Sequence, residues 1–127
     1  MFGVKAYGYN KDDLTKRISL QISDEAKYIE YLKTTAEKYP FLAIMGLRIL
    51  TEIKLKTFLT NQDVTISDKA MLGNLIALLP NKVTEAQKKT LRDFAEFKNI
   101  ASHGYEISKE TARRALEAIP TFLESIR

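Results

Sequence analysis

One imidazole, and the run of residues around it, holds the clearest proton-transfer chemistry in this sequence. His103 is the only histidine, and imidazole is the side chain whose unperturbed pKa, about 6.5, suits proton transfer near neutral pH. It lies in Glu96-Phe97-Lys98-Asn99-Ile100-Ala101-Ser102-His103-Gly104. Asn99 and His103 are four apart and share a helix face. Arg92, Glu96, Asn99 and His103 follow one another at spacings of four, three and four, which makes one polar stripe. Lys98 stands off that stripe. Five residues separate it from His103, about 140° round an ideal helix. The two converge on one phosphate only if the helix end bends or a second subunit completes the site. Plainer alternatives stand beside this. His103 can be a helix-end residue whose charge suits the C-terminal dipole, and the stripe can be a solvated face.

A second place is unusual. Arg48 and Glu52 sit four apart inside the most apolar stretch of the chain, residues 41–59. A charge buried there needs a partner. The pair is an intrahelical ion pair, or two charges that reach solvent by their stems, or a pair lining a cleft and orienting a neighbouring functional group. Two basic clusters, Lys88/Lys89/Arg92 and Lys109/Arg113/Arg114, offer a third and weaker reading as a nucleic-acid face. Charged runs on helices are more often plain solvated faces.

Composition narrows the chemistry. The 127 residues fit one domain with a real core. There is no cysteine, so disulfides, thiol nucleophiles and thiolate zinc sites are excluded. A single histidine excludes a two-histidine metal motif within one chain. Net charge is +4 and the chain is 45% hydrophobic, values compatible with nucleic acid without demanding it. No apolar run approaches the ~18 residues of a membrane span. The first ten residues lack the order of a signal peptide, so a cytoplasmic protein is the expectation.

The elements that must position these residues read as helices from Ser23 onward. Ser23 is the expected cap of a first helix with Asp24 and Glu25 in its opening turn. Its apolar stripe holds Tyr28, Tyr31 or Leu32, and Ala36. Pro40 ends that helix or starts the next. Residues 41–59 are apolar nearly all round and should form the buried central helix. Ser67 is the expected cap of a short helix carrying Met71, Leu72, Leu75, Ile76 and Leu79. Thr84 with Gln87 spells a capping box. The helix it opens should run through Ile100 and Ala101 to a stop at Gly104. Ser108 caps a last helix, which Pro120 should kink or split after Ile119. The sum is an all-α bundle of about five helices over 23–127. Residues 1–22 are an extension whose alternation suggests a short β-hairpin.

Lys98-Asn99-Ile100-Ala101-Ser102-His103-Gly104 resembles the Arg-Asn-x-x-x-His-Gly signature of HEPN domains, small helical bundles. The wider chain is similar to a bacterial branch of that family often attached to restriction and defence proteins. That branch reads as a central helix with Arg-x-x-x-Glu, a short Leu-rich helix, Leu-Arg before the signature, and a capped Ala/Leu-rich helix after it. Arg48 to Glu52, Leu72 to Ile76, Leu91-Arg92 and Ser108 to Leu116 stand in that order. The likeness covers about residues 40–122. It implies metal-independent cleavage of RNA in a prokaryotic defence or toxin system, with no cofactor, by two subunits sharing one cleft. It also implies an antitoxin or other defence partner. By the resemblance His103 moves the proton, Asn99 orients it, and Lys98 stands where the family has Arg. Arg48, Glu52, Arg92, Glu96 and Ser102 would bind substrate or support the site. Lysine cannot grip a phosphate with a planar fork, so this departure implies weakened or lost catalysis. The competing expectation is a catalytically inactive module that pairs with itself or with another protein.

Overall fold

Sequence punctuation and a single apolar column explain most of the architecture. The computed structural model describes residues 24–97 and 106–126. Among them the chain forms five helices: α1 (Glu25–Ala36), α2 (Pro40–Asn61), α3 (Leu72–Ala77), α4 (Glu85–Ala95) and α5 (Lys109–Ser125). The bundle is all-α over these residues. The suggested hairpin in 1–22 lies outside them.

α2 is the central post. It packs on α1, α3 and α5, while α3 links it to α4. Pro40 takes the first turn of α2, where its missing N–H costs no helical bond. Ile44, Leu47, Leu50, Leu55 and Leu59 are fully buried along it. Burial is less complete than the composition of 41–59 suggests: Phe41 is 40% and Leu42 56% exposed. Both sit in the first turn of α2, ahead of the column that starts at Ala43. On α1 the stripe takes Leu32 and Ala36, and leaves Tyr31 in solvent.

α2 is stopped by Asp63, two residues past its end, whose φ of 61° is left-handed. Val64 N–H donates to Leu59 O and Asp63 N–H to Thr60 O, each at 3.0 Å. These are the two bonds of a Schellman stop, with Asp63 at the position glycine usually holds.

The capping box of α4 forms as expected. Gln87 N–H donates to Thr84 Oγ1 at 3.1 Å, and Thr84 N–H to Gln87 Oε1 at 2.9 Å. Ser108 accepts from Thr111 N–H at 3.1 Å and opens α5. Three expectations are corrected, and of the kink or split expected at Pro120 the split is excluded. Asp24, not Ser23, caps α1 by accepting from Lys27 N–H at 3.1 Å. Ser67 closes a local turn, accepting from Lys69 N–H and Ala70 N–H, and α3 starts only at Leu72. α4 closes at Ala95 rather than running to Ala101. Pro120 does not split α5, which continues to Ser125. Leu116, Ile119, Phe122 and Leu123 stay buried across the proline. At about 1.5–3 kcal/mol for each fully buried side chain, their burial outweighs the ~3 kcal/mol of an interior proline.

Candidate functional site

The polar centre of the bundle is built on α2 and aimed at the end of α4. Arg48 sits one turn from Ile44 and Thr51 on the inward side of α2, and its side chain is buried with theirs. It is only 9% exposed. Its Nη1 donates to the carbonyl of Ala95 at 2.9 Å, and its Nε lies 3.5 Å from Glu52 Oε2. Ala95 is the last residue of α4, and the last carbonyls of a helix have no partner within it. Arg48 supplies one, and its charge suits the negative end of the helix. Glu52, one turn along α2, answers the cation. One turn from Arg48, Thr51 is fully buried and returns its hydroxyl to Leu47 O at 2.8 Å. No buried side-chain nitrogen or oxygen among the described residues lacks a partner.

Of the readings of Arg48 and Glu52, the ion pair is the one the geometry carries. The intrahelical ion pair exists, and the same guanidinium fixes the backbone three residues before Lys98. The contact lies at the C-terminal end of α4, whose last residue is Ala95.

The remaining expected residues divide. Arg92 is exposed and lies 3.9 Å from Glu85 Oε2. Glu96 is exposed too and caps α4 through its backbone N–H. This half of the stripe is a solvated face. Lys98, Asn99, Ser102 and His103 lie outside the described residues. In the two basic clusters Lys89 pairs with Asp93 at 2.9 Å, and Arg114 with Glu110 at 3.2 Å. Arg113 grips Glu37 with both Nε and Nη2. With Arg92 counted, four of these six cations already face carboxylates, which thins the nucleic-acid reading of those faces.

Three features carry no sequence signal that could have found them. Tyr28 donates its hydroxyl to Gly46 O across the α1–α2 seam at 2.9 Å, and burial pushes its phenol pKa up. The Arg113 guanidinium holds the Glu37 carboxyl below its ordinary value; the two residues are 76 positions apart. A groove of about 270 Å³ between α4 and α5 is lined by Phe94, Phe97, Thr111, Arg114 and Ile119. Phe94 and Phe97 meet edge to face in it, 6.0 Å apart.

Among the described residues no cluster of three metal-ligating side chains occurs, and no helix is long and apolar enough to cross a membrane. No family model matches the chain, and neither a curated protein nor a solved structure does. The function has to be argued from the residues.

Proposed function

We propose that the chain is an RNA-directed helical module of HEPN-like kind, a metal-independent endoribonuclease whose site is shared by two copies. The observation that carries the reading is the Arg48–Ala95 contact. A buried cation is used to fasten the backbone immediately ahead of the run that holds Lys98, Asn99 and His103. Fixing a helix end with a cross-helix hydrogen bond is how a fold holds reacting groups to the small tolerance catalysis needs.

In this reading His103 takes the proton from the ribose 2′-hydroxyl, or returns one to the leaving oxygen. Asn99 orients the imidazole. Lys98 neutralises the phosphate as charge builds on it. As a point charge with three donors, Lys98 gives less directional support than arginine would. The rate is correspondingly low, and Lys98→Arg raises it.

The test is incubation of the purified protein with mixed-sequence RNA in EDTA. Wild type cleaves, while His103→Ala and Arg48→Met lose cleavage at unchanged RNA affinity. Equal cleavage by wild type and His103→Ala ends the reading. A second reading, a catalytically inactive pairing module for a second copy or a defence partner, is favoured by the prevalence of paired cations in both basic clusters. It expects dimers in sedimentation and no cleavage by any variant.

A further inference from the structure

We infer that the groove between the C-terminal halves of α2 and α5 binds a small flat-ringed anion, an aromatic carboxylate or aromatic phosphate. It encloses about 410 Å³, within the roughly 300–1,000 Å³ of small-molecule clefts. Phe58, Leu123 and Ile126 give it an apolar floor, and Lys54, Asn61 and Lys82 stand among its polar groups. Among the described residues no carboxylate lines it, and Glu25 beside it is already turned to Lys54.

The two lysines are not equivalent. Lys54 is bound to Glu25 at 2.8 Å. Lys82 makes no ion pair among the described residues, and its ammonium rests 5.1 Å from the centre of the Phe58 ring. A ring face is a weak partner for an exposed ammonium, and an anion is a stronger one. If Lys82 turns to a ligand's charged group, it uncovers the Phe58 face for the ligand's ring. One side chain thus supplies the charge contact, and the surface it leaves supplies the stacking contact. Asn61 and the neighbouring Gln62 are exposed and offer amide donors at the rim. Phe58 lies ten residues beyond Arg48 on α2, about 15 Å along the axis. The groove is therefore separate from the Arg48–Ala95 contact and does not depend on the RNA reading.

Helix ends supply the competing role. α2 and α5 both finish at this groove, and Lys82 also suits the negative ends of helices. Calorimetric titration of the full chain separates the two. The probes are 2-naphthoate and 2-naphthyl phosphate, with 2-naphthylmethanol as ring without charge and acetate as charge without ring. Both naphthyl anions should bind saturably, at least ~10-fold tighter than either control, since one charge-assisted contact is worth about that factor. Whichever anion binds tighter identifies the head group the groove prefers. Lys82→Gln should weaken the naphthyl anions ~10-fold, Phe58→Leu should weaken them several-fold, and Lys89→Gln, outside the groove, should change nothing. Absence of saturable binding overturns the inference. So does a Lys82→Gln protein that melts earlier yet binds as wild type does, which would leave Lys82 serving the helix ends alone.

Discussion

The seams that join α2 to its neighbours are held in opposite ways. Against α1 the contact is close and distributed, an apolar stripe with the Tyr28–Gly46 hydrogen bond and the Lys54–Glu25 ion pair beside it. A Cβ added at Gly46 would come within 2.5 Å of Leu32 Cδ2 and 3.2 Å of the Tyr28 hydroxyl, so the helices approach as closely as glycine allows. Against the end of α4 the contact is polar and concentrated, one buried guanidinium on one carbonyl. The first seam spreads its stabilisation over many side chains and loses a fraction with each change. The second depends on one group and locates one short stretch of backbone. A fold that needs only stability does well with the first kind. A single buried polar tie fixes a position, and here that position directly precedes the candidate catalytic run.

The comparison can be broken or sharpened by substitution. The largest effect is expected at Leu47→Ala, where a fully buried side chain leaves a cavity in the central post. The loss is about 2–5 kcal/mol, read by urea denaturation. Arg48→Met should cost about 2–3 kcal/mol, because Glu52 loses its cation and Ala95 O its donor. Amide exchange should rise at the end of α4 while the α1–α2 seam stays protected. If exchange rises evenly over the molecule, the positional role of Arg48 is wrong. Gly46→Ala should cost about 1–2 kcal/mol, the crowding of Leu32 reduced by the better helix propensity of alanine. Its damage should appear at α1 and spare α4. Thr84→Ala removes the side-chain cap at the opposite end of α4 and should cost about 1 kcal/mol.

The smallest effect is the pH dependence at Glu37. Its pKa is lowered from 4.5, first by the Arg113 hydrogen bonds. It therefore stabilises the fold above that value and loses this contribution as pH falls through the lowered one. Wild type and Glu37→Gln should differ slightly in thermal midpoint at pH 7 and converge in acid. A gap that widens in acid would contradict the pairing.

Much of the helix plan was legible because it rests on local chemistry. Pro40 at a first turn, the Thr84–Gln87 box and the Ser108 cap all act within three or four residues, so their spelling is enough. The column Ile44, Leu47, Leu55, Leu59 shows in the apolar content of 41–59. The errors have equally local causes. Ser23 and Asp24 are both good caps, and sequence does not rank neighbours. Ser67 has a cap's side chain but uses it on a tight turn. The candidate site was legible only as types and spacings. The Arg48–Glu52 pair follows from a four-residue step, but its reach to Ala95 crosses 47 positions, and no pattern in the chain announces it.

By itself the amino-acid order determined an all-α chain, its breaks, its apolar central helix and the one imidazole able to shuttle a proton. These follow from backbone geometry and from side chains a turn apart. Tertiary packing alone decided that α5 runs on through Pro120 and that Arg48 is spent on a carbonyl rather than left free for a ligand. Each of those outcomes weighs a local preference against the burial or hydrogen bonding of a group brought in from elsewhere, and that contest exists only once the helices have met.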